Sequence, residues 1–213
     1  MLHNITLMHP SRGRPTQARH ALEKWQDTAA NSLRILHLLS LDSDDPKEYR
    51  YRKELADTGS RIIISDNATM VDALNQCLTK LTCGIIITLY DDMTPCDGWD
   101  TLLDEAYQPG KLIQVTDPLN PNLQTVCCGC ATVFKNWGYV YYPGYISMFA
   151  DNDYQEHGQQ DGLFVPSKMT IDHKHPAHGN AKTDTTYERQ NHSAAYRLGN
   201  IILAGRRVRR FAW

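Results

Sequence analysis

Residues 85–92 read Ile-Ile-Ile-Thr-Leu-Tyr-Asp-Asp, an apolar run that ends in two carboxylates. A short apolar run bounded by polar residues is typical of a buried strand. Ligands of open α/β sheets bind at the carboxyl ends of the strands, so Asp91 and Asp92 are predicted to lie at a binding edge. A carboxylate pair with a distant histidine suits a hard divalent cation that carries a phosphate ligand.

The rest of the chain places further strands and helices in alternation. Three more strands are predicted in the first half, at 5–8, 33–41 and 61–65. Helical patterns lie between them, at 16–32, 47–57 and 66–80. This alternation predicts βαβ units and a largely parallel sheet. The second half is less regular, with predicted helices at 99–107 and 184–203 and predicted strands at 111–116, 125–134, 163–165 and 169–171.

The composition bounds the class of protein. The chain has 213 residues, is 41% hydrophobic and carries a net charge of −2, which excludes an overall basic nucleic-acid coat but not a local basic patch. It has no apolar stretch near the roughly 18 residues of a membrane span and no signal-peptide pattern. The six cysteines lack zinc-finger spacing, and reduced thiols in a cytoplasmic protein are expected. The sequence has no GxGxxG or GxxxxGK[ST] motif, which disfavours dinucleotide and P-loop sites.

Six motifs follow one another along residues 4–180, and their order is informative: Pro10–Pro15, Asp42–Asp45, Asp72-Ala73-Leu74-Asn75, Tyr90-Asp91-Asp92, Ala150-Asp151-Asn152-Asp153 and His173-Lys174-His175-Pro176. This order resembles that of GT-A-fold nucleotide-sugar glycosyltransferases of the inverting, family-2-like kind, especially the compact members found in bacteriophage genomes. The resemblance implies an α/β, Rossmann-like, mixed but mostly parallel sheet flanked by helices. It places the GT-A domain at 1–183 and a C-terminal helix with a basic tail at 184–213.

The resemblance also assigns roles to residues. The donor nucleotide sugar, most simply a UDP-sugar, would contact Pro10, Ser11, Arg12, Arg14, Asp42, Asp44, Asp66, Asn75 and Asp91. A Mn²⁺ or Mg²⁺ ion would be bound by Asp92 and by His173 or His175, which strand alternation places on the same side. The base would be Asp151 or Asp153. The sequence has Ala150 where many relatives carry Glu, so both aspartates stay open as the base.

A divalent ion would stabilise the charge on a nucleoside-diphosphate leaving group, and a carboxylate would accept the proton of an acceptor hydroxyl. Metal-dependent sugar transfer with inversion is therefore the predicted activity. A modified base of phage DNA is one hypothesis for the acceptor, because Arg206, Arg207, Arg209 and Arg210 form a basic tail that suits phosphates. The location would then be the host cytoplasm. A nucleotidyltransferase and a non-catalytic nucleic-acid or envelope-binding module are the alternatives.

Overall fold

A computed structural model describes residues 4–81, 84–176 and 179–212 of the chain. The described strands are β1 (Ile5–Pro10), β2 (Ile35–Asp42), β3 (Arg61–Ser65), β4 (Ile85–Thr88), β5 (Met93–Pro95), β6 (Leu112–Ile113), β7 (Cys128–Cys130), β8 (Phe164–Val165) and β9 (Ile171–His173). The described helices are α1 (Pro15–Asp27), α2 (Glu48–Glu54), α3 (Met70–Cys77), α4 (Trp99–Ala106), α5 (Ala131–Trp137), α6 (Ala150–Gln160), α7 (Thr185–Gln190) and α8 (Ser193–Val208).

The main sheet has seven strands in the order β3-β2-β1-β4-β7-β6-β8. Strands β3, β2, β1 and β4 are parallel, as are β6 and β8, while β7 runs antiparallel to both of its neighbours. The predicted α/β class and mixed, mostly parallel sheet are confirmed. Because β1, β2 and β4 are parallel, the polar segments that follow them meet at one edge of the sheet.

A separate two-stranded sheet joins β5 to β9. Its antiparallel register pairs Met93 with His173 and Pro95 with Ile171. The backbone N–H of Lys174 donates to the Asp92 carbonyl at 2.9 Å and extends this pairing. The small sheet thus brings the late histidine segment beside the Asp91-Asp92 pair.

Both faces of the main sheet are covered by apolar layers, as a parallel sheet requires. Leu7 on β1 and Leu39 on β2 pack with α1 and α2, where Leu22 and Trp25 are fully buried. The opposite layer holds Met8 with residues of α3, α5 and α6. The aromatic residues of 139–145 belong mainly to this second layer, since Tyr141 and Tyr145 are buried there and Tyr142 packs against it.

The structure corrects several predicted boundaries. The predicted strand at 125–134 is wrong beyond Cys130, because α5 begins at Ala131. A short apolar run does not by itself distinguish a strand from a buried helix. The first helix ends at Asp27 rather than near residue 32, and the predicted helix at 66–80 begins only at Met70. Helix α6, at Ala150–Gln160, is not among the helices that the sequence pattern predicts. The predicted helix at 184–203 is two helices, α7 and α8.

The cysteine-rich segment is structural. Four cysteines are free, buried thiols: Cys77, Cys127, Cys128 and Cys130. Cys96 is free and half-buried, and Cys83 lies outside the described residues. Burial raises the pKa of the Cys77 thiol to about 12, which keeps it protonated and unreactive. No helix in the described part of the chain is long and apolar enough to cross a membrane.

Gly129, in the centre of β7, allows β6 to approach closely. A Cβ at this position would lie 2.6 Å from the Leu112 Cα, and its φ is +152°. We expect Gly129→Ala to lower the free energy of unfolding by roughly 2 kcal/mol or more, because the clash is with backbone. Urea denaturation measures this loss. Gly205→Ala is the control, since a Cβ there meets nothing within 4 Å in α8, and it should be neutral or slightly stabilising. Equal stability of the two variants would contradict this account of Gly129.

Candidate active site

A cleft of about 360 Å³ opens at the carboxyl ends of β1, β2 and β4. Its walls also include the start of α6, the end of β9 and the segment that contains α7. Most of the residues predicted for donor, metal and base meet in this one cleft: Pro10, Ser11, Arg12, Arg14, Asp42, Asp91, Asp92, Asp151, His173 and His175.

Asp44, Asp66, Asn75 and Asp153 do not line the cleft. Asp44 is exposed and pairs with Arg12, and the exposed Asp66 accepts a hydrogen bond from Ser43. The Asn75 amide is fully engaged with backbone: it donates to the Tyr141 carbonyl at 2.9 Å and accepts from the Val140 N–H at 2.8 Å. It therefore ties α3 to the segment after α5 instead of facing a ligand.

Asp92 and His173 meet at the wall of the cleft. The Asp92 Oδ2 lies 3.9 Å from the His173 Nε2, and the His173 Nδ1 lies 2.8 Å from the Asp117 Oδ2. Burial raises the pKa of Asp92, and the smaller opposing effect of His173 does not cancel this rise. In the tautomer that donates its Nδ1–H to Asp117, the His173 Nε2 carries the lone pair that a metal ion requires. His175 lies next to this pair, with ring centroids 5.1 Å from His173 and 5.3 Å from Tyr187.

This donor set fits a divalent metal ion. A carboxylate oxygen and an imidazole nitrogen are ligands that Mn²⁺ accepts, and metal-binding histidines generally donate their other ring N–H to a carboxylate or carbonyl, here Asp117. Within the described ranges no three His, Cys, Asp or Glu side chains cluster as a complete metal site. Asp92 and His173 are therefore a partial donor set.

Asp117 was not predicted from sequence, and the structure gives it a positioning role. It is fully buried, and hydrogen bonds from Asn120 and His173 outweigh burial and lower its pKa. We expect Asp117→Asn to weaken Mn²⁺ binding by about 10–100-fold, because it removes the anion that orients His173. Titration with Mn²⁺ followed by electron paramagnetic resonance measures the affinity. Asp172→Asn, at an exposed position of β9, is the matched control. An unchanged affinity in Asp117→Asn would contradict the assigned role.

Asp91 is held rigidly at the floor of the cleft. Its Oδ1 lies 2.8 Å from the His9 Nε2, and the Ser11 hydroxyl donates to both of its oxygens at 3.1 and 2.9 Å. The Ser11 hydroxyl also contacts the Tyr51 hydroxyl at 2.9 Å. The Arg14 guanidinium lies 3.9 Å from the Asp91 Oδ2. The loop after β1 therefore presents a fixed carboxylate and a cation side by side.

The two arginines of this loop also bind acidic residues around the cleft. Arg12 donates to Asp42 at 2.7 Å, and Arg14 donates to both oxygens of Asp184. The Thr186 hydroxyl donates to the Arg12 carbonyl at 2.9 Å, so the α7 segment closes one wall. Sequence reasoning missed this wall, because the predicted domain boundary at residue 183 separated α7 from the cleft.

Asp151 lies in the first turn of α6 and faces the cleft. Burial raises its pKa to about 6, although the backbone N–H of Asn152 donates to its Oδ1 at 2.9 Å. The residue before the helix, Phe149, has a φ of +70°, a strained conformation for a non-glycine residue. A carboxyl with a raised pKa in a cleft, beside strained backbone, is typical of a functional group.

The comparisons with known proteins give the fold a name. No family model and no curated protein matches the sequence. The structure, however, resembles the mannosyltransferase PcManGT from Pyrobaculum calidifontis, solved with GDP-Man and Mn²⁺, at a TM-score of 0.65 and 8% identity over 98% of this chain and 76% of that one. The chain has the GT-A fold.

Two further GT-A structures are similar. Glucosyl-3-phosphoglycerate synthase from Mycobacterium tuberculosis, solved with Mn²⁺, UDP and phosphoglyceric acid, gives a TM-score of 0.57 at 9% identity over 81% of this chain and 71% of that one. S. aureus TarS 1-349, solved in complex with UDP, gives a TM-score of 0.60 at 8% identity over 76% of this chain and 57% of that one. The match spans 35% of a longer TarS structure. At such identities the likeness concerns the fold.

The structure corrects the predicted roles of Asp153 and Arg206. In this GT-A chain the two form a buried ion pair, with Arg206 Nε 2.9 Å from Asp153 Oδ2 and relative exposures of 0% and 1%. Arg206 also donates to the Tyr139 hydroxyl at 2.9 Å, and its guanidinium lies 3.9 Å from the Tyr142 ring centroid. Asp153 therefore anchors α8 to α6, and Arg206 is inaccessible to a nucleic acid.

The remaining arginines of the predicted basic tail divide into two kinds. Arg207 is exposed but pairs with Glu156 at 2.6 Å, and Arg209 and Arg210 are exposed at the end of α8 and beyond it. The tail of this GT-A chain is thus a weaker basic patch than the sequence indicates.

Proposed function

We propose that the protein is a metal-dependent glycosyltransferase that moves a sugar from a nucleoside-diphosphate donor to a hydroxyl acceptor with inversion. The observation that carries this proposal is the convergence of Asp92, His173 and Asp151, distant in sequence, on one cleft of a GT-A fold. Solved structures of similar fold hold Mn²⁺ with UDP or GDP-Man, which supports a donor of this class.

Asp92 and His173 would hold Mn²⁺ or Mg²⁺, which when bound neutralises charge on the diphosphate leaving group. Asp117 would keep the His173 Nε2 free for the ion. Arg14 lies close enough to Asp91 to reach a phosphate of the same donor, and a guanidinium suits phosphate oxygens. Arg12 and Asp42 would frame the nucleoside at the end of β2.

Asp151 would act as the base. Its carboxylate would take the proton of the acceptor hydroxyl while that oxygen forms a bond to the anomeric carbon of the sugar. The bond from this carbon to the diphosphate oxygen breaks, and its electron pair leaves with the nucleoside diphosphate. A base with a pKa of about 6 is largely ionised at neutral pH yet basic enough to assist the attack.

The acceptor is proposed only as a hydroxyl-bearing molecule. A modified base of phage DNA is the acceptor that the sequence resemblance suggests. Of the four tail arginines, Arg209 and Arg210 still support this hypothesis, because Arg206 is buried and Arg207 pairs with Glu156. Labelling of hydroxymethylated duplex DNA by a radioactive donor tests it, and inert DNA beside a labelled glycan would remove it.

A thermal-shift screen of nucleotide sugars with and without Mn²⁺ tests the proposed function. A donor that binds the folded state raises the melting temperature by mass action. We expect one nucleotide sugar to stabilise the wild type only when Mn²⁺ is present. Asp92→Ala should lose this stabilisation, whereas Asp97→Ala, an exposed aspartate after β5, should keep it.

Product analysis with the donor so identified completes the test. The proposal requires release of a nucleoside diphosphate. Release of pyrophosphate from a nucleoside triphosphate would identify a nucleotidyltransferase instead. Failure of every nucleotide sugar to stabilise the protein would contradict the proposal.

A further inference from the structure

Two histidines lie inside the apolar layer between the main sheet and helices α1 and α2. Strand β1 directs Ile5, Leu7 and His9 to this face, and β2 directs His37 to the same face, diagonally across from His9. The relative exposures of His9 and His37 are 0% and 3%. Burying an imidazole costs free energy unless its nitrogens are hydrogen-bonded, and apolar side chains would satisfy the strand pattern at lower cost.

The two rings form a continuous hydrogen-bonded relay that ends at Asp91. The His9 Nε2 lies 2.8 Å from the Asp91 Oδ1, and the His9 Nδ1 lies 3.1 Å from the His37 Nε2. The His37 Nδ1 lies 2.7 Å from the Ser60 hydroxyl at the other end. Every ring nitrogen therefore has a partner, and the relay links the floor of the cleft to the loop before β3.

The Asp91 carboxylate sets the direction of this relay. Its oxygens accept from the Ser11 hydroxyl, and an oxygen that accepts from His9 as well requires a hydrogen on the His9 Nε2. Burial, with a smaller effect of His9, lowers the pKa of His37 well below its usual value, so His37 is neutral. In the tautomer with its hydrogen on Nε2, the His9 Nδ1 accepts from the His37 Nε2–H, and the His37 Nδ1 accepts from the Ser60 hydroxyl. All donors in the relay then point toward the carboxylate.

We propose that His9 is a positioning residue for Asp91, and that His37 and Ser60 hold His9 in the tautomer that donates to it. The inference rests on the proposed function, in which Asp91 accepts a hydrogen bond from a ribose or sugar hydroxyl of the donor. His9 and Ser11 together fix both oxygens of this carboxylate before the donor arrives. A donor hydroxyl then meets an oriented acceptor, and little ordering is left for the binding step.

Substitution of both histidines tests the relay without leaving one of them unpaired. Replacing His9 alone would leave the buried His37 without its partner, whereas replacing both rings by apolar side chains preserves the fold at small cost. We therefore expect His9→Leu/His37→Leu to fold, as judged by its melting temperature. His9→Gln keeps an N–H donor at the reach of Nε2 and is the rescue variant. His20→Leu, on the exposed side of α1, is the control.

Isothermal titration with UDP-glucose and with GDP-mannose, each with Mn²⁺, separates positioning from folding. Loss of one charge-assisted hydrogen bond predicts a roughly tenfold to hundredfold higher Kd in the double variant, with unchanged stoichiometry. The Kd values of His9→Gln and His20→Leu should stay within about threefold of the wild-type Kd. A purely structural role would instead lower the stoichiometry and leave the Kd of the folded fraction unchanged.

The possible results separate this inference from the proposed function. Wild-type protein that binds one of the two donors, together with a folded double variant of equal Kd, would overturn the positioning role alone. A His9→Gln variant as weak as the double variant would also overturn it, because the donor to Asp91 is retained there. Wild-type protein that binds no nucleotide sugar of the thermal-shift screen would overturn the proposed function, and this inference with it.

Discussion

Asp151→Asn is expected to reduce sugar transfer by about 10²–10⁴-fold while donor binding is retained, because asparagine cannot accept the proton of the acceptor hydroxyl. The substitution is nearly isosteric, and the Asn152 N–H that donates to Asp151 can donate equally to an amide oxygen. Initial rates of nucleoside-diphosphate release with a saturating acceptor measure the loss. Titration of the donor in the presence of Mn²⁺ measures the retained binding.

The same variant is expected to be more stable than the wild type. Burial raises the pKa of Asp151 to about 6, so the ionised carboxylate is disfavoured in the folded state. This penalty is absent well below pH 4, grows through the interval up to pH 6 and is complete above it. Removing the charge should raise the free energy of unfolding at neutral pH by up to about 3 kcal/mol. Full activity in Asp151→Asn would contradict the assignment of the base.

The pH dependence of the wild type follows from the same residue. A base acts only when it is deprotonated, so kcat/KM should rise with pH, reach half its plateau at about 6 and stay level above it. Asp151→Glu keeps a titrating carboxylate and should retain a sigmoidal profile at a lower plateau. A profile in the wild type that is flat across this interval would show that another group carries the proton.

Arg206→Ala is expected to cost about 3–5 kcal/mol of stability, because it leaves the Asp153 carboxylate buried and unpaired. The cation also contacts the Tyr139 hydroxyl, the Tyr142 ring and the Phe211 carbonyl, so several elements lose a shared partner. For a chain of this size, the loss corresponds to a melting temperature lower by roughly 2–4 °C for each kcal/mol. Chemical denaturation measures it.

Arg209→Ala is the matched control, since Arg209 is exposed in the same tail. It should change stability by less than about 0.5 kcal/mol. Arg206→Met/Asp153→Leu removes both charges at once and should recover much of the loss, because paired removal leaves no buried charge. Equal stability of the Arg206→Ala and Arg209→Ala variants would contradict the buried ion pair.

The part of the fold that could be predicted from sequence is the part governed by local pattern. Strands β1 to β4 are short apolar runs bounded by polar residues, and the carboxylates that follow them lie where the parallel sheet directs them. The proximity of Asp92 and His173 was also predictable. Asp92 follows the predicted strand that contains β4, and His173 was expected at the end of a late strand that runs toward the same site. Local pattern failed at 125–134, because the residues of β7 and the first residues of α5 are equally apolar.

Residues whose roles depend on distant partners were not predictable. The sequence indicated Asp153 as a candidate base and Arg206 as part of a basic tail, and only the packing of α8 on α6 buries them together. Asp117 follows a predicted strand, but nothing in the sequence pairs it with His173. His9 and His37 interrupt apolar strand patterns, and that interruption is the signal that could have found them.

The central claim is that Asp92 and His173 bind one divalent ion in the cleft that also holds the donor diphosphate. Crystals grown with UDP and Mn²⁺, measured at the manganese absorption edge, test this claim most directly. The account predicts one anomalous peak between the Asp92 carboxylate and the His173 Nε2, within coordination distance of both, with the UDP diphosphate beside it. UDP bound in the cleft with no manganese peak between these two side chains would contradict it.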